Sequence, residues 1–265
     1  MKYNTAHPKS VEHGYTLTVA EPTWAHLSVN QPGQRGKTPF PHNYYDLSLV
    51  VTRSSDKKTE KGSQGSEDDE VSRVSVLSEC RRAITTELLL EPGQQYHVSI
   101  LSFRAPQSCP IIISVLSAKA VVLEKKAFDW DRTRRGVYRH LWAAGKVEQA
   151  PGTPDVYHVR YKTQGALYVL LVNKSRQLSC AMKLNATQGE MIKPSRGGRL
   201  TKDILEPGQF QILNVFTSVD TFAAWNASAG ANLGVMPPNM RMPEHMMHQP
   251  VVNDAHDLHR ATRIG

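Results

Sequence analysis

The sequence predicts an all-β protein, two tandem antiparallel β-sandwich domains followed by a disordered C-terminal tail, and three observations carry that expectation. The pentapeptide Leu-Glu-Pro-Gly-Gln occurs at 90–94 and again at 205–209, each time opening a run of alternating apolar residues. Two apolar runs rich in β-branched and aliphatic residues, 46–51 and 166–172, precede the two copies in the same order. No segment carries a sustained helical period.

The repeated pentapeptide reads as a corner entering a strand. Pro92 and Pro207 preset φ for position i+1 of a turn, and Gly93 and Gly208 supply the positive φ that position i+2 of a type II turn requires. Beyond the first corner Tyr96, Val98 and Ile100 share one face of a strand; beyond the second, Phe210 and Ile212 do so. A repeat at this separation is one small β-domain long, which gives two related sandwiches in tandem.

In chain order, residues 1–14 are polar and expected to fray. The first sandwich spans 15–125, with strands at 15–19, 24–29, 46–51, 74–77, 84–90, 96–103, 111–116 and 120–123. The polar loop 31–42 and the Ser-, Lys- and acid-rich stretch 52–72 interrupt it. Residues 126–136 are the expected linker. The second sandwich spans 137–225, with strands at 156–161, 166–172, 178–184, 191–192 and 210–216, a loop at 193–203 and a short helix at 221–229. The Pro-, Met- and His-rich residues 226–265 form the expected tail.

Composition narrows the class. A chain of 265 residues, 21% charged and 40% apolar, can bury two cores. No stretch approaches a membrane-spanning length, and the first residues lack the apolar core of a signal peptide. Cys80, Cys109 and Cys180 are an odd, scattered set that suits reduced thiols, so a cytoplasmic location is expected. On that reading the glycosylation-like triplets at Asn173, Asn185 and Asn226 are chance matches.

The net charge of +8 gathers in two clusters, one at Arg132, Arg134, Arg135 and Arg139, the other at Lys193, Arg196, Arg199 and Lys202. Either is a solvated surface or a contact for anionic membrane; without interleaved aromatics, nucleic acid is not expected. Glu67, Asp68, Asp69 and Glu70 form an acidic run whose mutual repulsion a calcium ion would relieve, or which water simply solvates. No cofactor is required on this reading, and calcium is the one candidate. The His pairs His245/His248 and His256/His259 have a spacing that chelates zinc on a helix, but the Pro-rich tail gives no helix signal.

Catalytic signatures are missing from the sequence. There is no Gly-x-Ser-x-Gly elbow, His-Glu-x-x-His motif or phosphate-binding loop. Cys180 alternates with Leu178, Met182 and Leu184, which makes it a core residue.

Glu21-Pro-Thr-Trp24, Gln31-x-Gly33-x-Arg35, the run 46–51 and the corner 91–96 follow one another in an order that resembles the calpain family, small-optic-lobes subtype. The match extends through Val156-Tyr157, Gly165-Ala-Leu167, the run 169–173, Ser195-Arg-Gly197 and Leu200-Thr-Lys-Asp203. The resemblance implies a calpain-type β-sandwich followed by the small-optic-lobes homology region. It implies a non-catalytic region that braces or positions a calpain-type protease core, in cis or in trans, with an acidic loop that senses calcium and membrane. A stand-alone C2-like adaptor on anionic membrane is the alternative. Two departures stand out: residues 164–167 lack the tryptophan usual in the subtype, and no papain-like Cys, Gly-His or Asn-Pro-Trp context is present to receive catalytic roles.

Overall fold

The computed structural model describes residues 12–33, 44–55, 72–79, 81–103, 110–153, 155–186, 192–196, 200–218, 229–236 and 257–264. It is mostly β, with four antiparallel sheets and, among the described residues, one α-helix.

Eight strands come first: β1 (Glu12–Val19), β2 (Thr23–Asn30), β3 (Leu47–Ser55), β4 (Ser72–Glu79), β5 (Ala83–Leu90), β6 (Gln94–Leu101), β7 (Ile112–Ser117) and β8 (Val121–Lys126). They form a five-stranded sheet, β4-β3-β6-β1-β8, and a three-stranded sheet, β5-β2-β7. Period-two alternation decides which face turns inward: β2 buries Thr23, Ala25, Leu27 and Val29 and turns Trp24 and His26 outward. Leu17, Leu27, Leu49, Ile84, Val98 and Ile100 meet in one core drawn from both sheets. Each such side chain, fully buried, contributes about 1.5–3 kcal/mol.

The helix α1 (Trp130–Ala144) follows, then β9 (Lys146–Gln149), β10 (Val156–Lys162), β11 (Ala166–Asn173), β12 (Ser179–Ala186), β13 (Ile192–Pro194), β14 (Leu200–Leu205), β15 (Gln209–Ser218), β16 (Ala229–Met236) and β17 (Thr262–Arg263). Their sheets run β13-β15-β11-β10-β9, with β17 also on β15, and β14-β12-β16. A second core between these two sheets holds Leu167, Val169, Leu171, Cys180, Met182 and Phe216.

Both Leu-Glu-Pro-Gly-Gln corners carry the chain from a three-stranded sheet to the larger sheet beside it, β5 to β6 and β14 to β15. Gly93 and Gly208 hold φ at 70° and 69°. A third Pro-Gly turn, unanticipated, joins β9 to β10 with Gly152 at 72°.

The helix was not expected at this place, and it replaces most of the linker expected at 126–136. Asp129 caps it, Oδ1 accepting from the Arg132 N–H at 3.0 Å, and the Gly145 N–H closes it on the Leu141 carbonyl. Its buried face is Thr133, Arg134, Gly136, Val137 and Leu141. Trp130, Tyr138 and Trp142 pack beside Val137 and Leu141, so an apolar stripe at helical spacing is present, interrupted by Thr133, Arg134 and Gly136 on the same face. Gly136 lies against β3, where an added Cβ would stand 2.3 Å from Thr52 Cγ2.

A third core joins the two sheet pairs through this helix. Val50 and Leu101 of the five-stranded sheet cluster with Val137 and Leu141 of α1 and with Tyr168 and Leu170 of β11. Thr133 Oγ1 reaches Ser99 Oγ at 2.8 Å, and Ser48 Oγ lies 3.3 Å from the Tyr168 hydroxyl. β11 is consequently buried along its whole length, which is why its sequence reads as a continuous apolar run instead of an alternating one.

The expected disordered tail is corrected at both ends. β16 pairs with β12 from Ser179↔Met236 to Ala186↔Ala229, and residues 257–264 dock on β15. β9, β14, β16 and β17 are strands beyond those expected, β14 taking part of the loop expected at 193–203. The expected short helix at 221–229 lies, apart from its last residue, outside the described residues.

Candidate functional site

Among the described strands, β15 alone pairs with three others, β11, β13 and β17. β13 pairs with its Phe216–Ser218 end and β17 with Gln209 and Phe210, so among the described residues the middle of that edge has no strand beside it. A bulge opposite Val169 and Leu170 inserts Leu213, moving the side chains of one face from Phe210 and Ile212 to Val215.

Side chains close this gap. His259 Nδ1 bonds the Ile212 carbonyl at 2.7 Å, and Arg196 Nη1 donates to the Leu213 carbonyl at 3.1 Å. The Val215 N–H donates to Ser195 Oγ at 2.9 Å, while the Ser195 N–H donates to the Val215 carbonyl at 2.8 Å. An edge that would otherwise template another strand is thus capped by residues remote in sequence.

The capping groups are themselves tied together. Arg196 Nη1 donates to both Asp203 oxygens at 2.7 and 2.8 Å, and the pair is buried. Gln211 Nε2 donates to Asp203 Oδ1 at 3.0 Å and to the His259 carbonyl at 2.8 Å. Ser195 Oγ lies 3.0 Å from His259 Nε2 and 3.0 Å from Asn214 Oδ1. Because Nδ1 faces the Ile212 carbonyl it carries a proton; the single Ser195 hydroxyl proton can go to Asn214 Oδ1 or to Nε2, but not to both. A Ser–His contact invites a hydrolytic reading, but nucleophilic attack needs a hydroxyl that substrate can reach. Ser195 and His259 are both buried, and the hydroxyl already serves Val215 and Asn214. The geometry suits fastening.

The C-terminal segment completes the assembly. Arg134 Nη1 donates to the Asp257 carbonyl at 2.7 Å and to its Oδ2 at 3.2 Å. Leu258 enters the core between the sheet pairs, and the Ile264 N–H donates to the Gly208 carbonyl at 2.8 Å. Asp131 lies beside Arg134 and Arg135; burial raises its carboxyl, but hydrogen bonds and charge from the two guanidiniums prevail and hold it lowered.

These positions revise the membrane expectation. Of the residues expected to contact lipid, Arg196 is buried in an internal pair with Asp203, and Arg134 is buried with its guanidinium on the exposed carboxylates of Asp131 and Asp257. Arg132 and Arg135 lie on α1, paired with its cap Asp129 and with Asp131, and Lys202 is half-buried on β14. Arg199 and the calcium candidates Glu67, Asp68, Asp69 and Glu70 lie outside the described residues, as do His245, His248 and His256. Among the described residues no group of His, Cys, Asp or Glu could hold a metal ion. Cys180 is buried, which pushes its thiol up to about 12, so it is not a ready nucleophile.

The opposite edge of this sheet, β9, is guarded by charge. Glu148 pairs with Lys146 at 2.6 Å, and with His158 and Arg160 each at 2.7 Å. The Lys146 hydrogen bond, followed against burial by Arg160 and His158, holds Glu148 down to about 2. His158 is itself lowered, burial outweighing its carboxylate neighbour, so the contact near neutral pH is a hydrogen bond to a neutral ring.

A different kind of surface lies on the outer face of β5-β2-β7. Trp24, 64% exposed, stands directly opposite Leu89, 46% exposed; Leu116, 73% exposed, is opposite His26, and Ile112, 63% exposed, is opposite Asn30. The sequence signal for this face is the pair of apolar triplets 88–90 and 111–113, since three successive apolar residues on a strand must send one to each side.

Comparison with protein-family models, with curated proteins and with solved structures finds no match for this chain.

Proposed function

We propose that this chain is a non-catalytic regulatory and targeting region of an intracellular calpain-type cysteine protease. On this reading the two sheet pairs are tandem β-sandwiches, the first calpain-type and the second the small-optic-lobes homology region. The observation that carries it is the row Trp24, Leu89 and Leu116 on the outer face of the first pair. Large apolar side chains grouped on an ordered sheet mark an interaction surface, and a protease core is the partner implied by the family resemblance. The third core supports a bracing role, because it fastens the two sheet pairs through one helix. Calcium, if it acts, acts through Glu67, Asp68, Asp69 and Glu70. A stand-alone membrane adaptor is the weaker reading, since Arg134 and Arg196 are buried and already paired with carboxylates of the chain.

The test mixes purified chain with a separately expressed calpain-type protease core and follows the complex by size-exclusion chromatography with light scattering. Trp24→Glu and Leu116→Glu should abolish the complex and leave the melting temperature of the chain unchanged. Complex formation that both substitutions spare would remove this face as the docking surface, and no complex with the parent chain would remove the bracing function.

A further inference from the structure

The segment 257–264 is attached to the rest of the fold like a ligand. Its contacts are made to α1, to residues beside β13 and to β15, all distant in sequence, and nearly every position is read by a specific group. Asp257 is met by Arg134, and Leu258 by the apolar core between the sheet pairs. The His259 ring is met by Ser195 and the Ile212 carbonyl, and its main-chain carbonyl by Gln211. Thr262 and Arg263 then add a short strand to Phe210 and Gln209. A charge, an apolar side chain, a ring with two defined hydrogen bonds and a strand addition are the elements by which folded domains recognise extended peptides.

We propose that the β15 edge is a peptide-recognition site, filled here by the chain's own Asp-Leu-His-Arg-Ala-Thr-Arg-Ile segment, and that it accepts the same segment from a second copy. The site is built to that sequence, so a second copy carries a ligand already matched to it. The chain between β16 and Asp257 is about 20 residues, which extended reaches about 65 Å and can deliver the segment to a neighbour. Strand exchange of this kind joins copies without creating any new interface. The tethered copy competes at the high local concentration a short connection confers, so exchange is favoured by high protein concentration or by cutting the connection. The inference is independent of any protease partner.

The experiment uses the full chain with a specific protease site inserted between residues 237 and 256 and cut after purification. A fluorescein-labelled peptide of residues 255–265 should exchange into the cut protein and not measurably into the uncut one at micromolar concentration. Peptides carrying His259→Ala or Asp257→Asn should bind at least tenfold more weakly. In parallel, two differently tagged intact chains incubated together at high concentration should co-purify, and Leu258→Asp in both should end this. If the cut protein loses its fold, the intact-chain arm decides alone. A scrambled peptide binding as well as the parent, or the absence of both peptide exchange and co-purification, would overturn the proposal and leave the segment as a fixed part of the fold.

Discussion

At the first Leu-Glu-Pro-Gly-Gln corner the Tyr96 hydroxyl accepts from the Glu91 N–H at 2.9 Å and donates to the Leu89 carbonyl at 3.2 Å. At the second corner the same work falls to Asn173, whose Nδ2 reaches the Leu178, Leu205 and Glu206 carbonyls at 2.8, 3.2 and 3.1 Å. One corner is tied by the strand it leads into; the other is tied by the end of β11 and, through Gly208, by Ile264. The difference teaches that a turn motif specifies backbone direction, whereas the groups that hold it come from whatever the surrounding fold brings near. The corners are equal as turns and unequal as parts of a network.

Ion pairs around the two corners sharpen the contrast most. Glu91 beside the first corner pairs with Arg53 at 3.1 Å in solvent, while Arg196 and Asp203, near the second, pair in the interior. Arg196→Met leaves the Asp203 charge buried without its partner and should cost about 3–5 kcal/mol. Arg53→Met should cost less than about 1 kcal/mol, because water screens an exposed pair. Urea denaturation of the two variants measures the ratio. Losses of similar size would show that the buried network does not distinguish the second sheet pair.

The anchors themselves should differ by a smaller margin. Asn173→Ala leaves several buried carbonyls short of a donor and should cost about 3 kcal/mol, whereas Tyr96→Phe removes one hydroxyl and should cost about 1 kcal/mol. Hydrogen exchange adds a spatial readout. Asn173→Ala should loosen the amides of β14 and β15, and Tyr96→Phe only those flanking its own corner. Equal effects would mean that the second corner is no more integrated than the first.

What the sequence made legible follows the same division. The first eight strands were readable because alternation there has one simple meaning, inward toward a single core, as in Ala25, Leu27 and Val29. α1 was legible but missed, since Trp130, Val137, Tyr138, Leu141 and Trp142 recur at helical spacing, broken up by Thr133, Arg134 and Gly136. Its Asp129 cap and the Gly145 that ends it were present as signals and would have marked the helix. The bulge at Leu213 shifts the parity of β15 in a way no periodicity can foresee. His259 was visible only as one of several histidines in a Pro-rich stretch, since its partners Ser195 and Ile212 are far away in sequence. Trp24 opened a correctly read strand, yet its exposure followed only once Ala25 was known to face inward.

The smallest expected effect is also the one that most directly asks whether the corners are equivalent. Gly93 and Gly208 share a φ near 70°, and neither has a neighbour that a Cβ would strike. The cost of alanine at either position is therefore the left-handed backbone penalty alone, about 1 kcal/mol, with no packing contribution to separate them. Asparagine tolerates that region better, so Gly93→Asn and Gly208→Asn should each recover part of the loss. Thermal melts of the four single variants should fall into two matched pairs, the alanine pair below the asparagine pair. A Gly208→Ala loss several times that of Gly93→Ala would show that the Asn173 and Ile264 contacts depend on the second turn's shape, and would make the repeat alike in sequence but not in mechanical role.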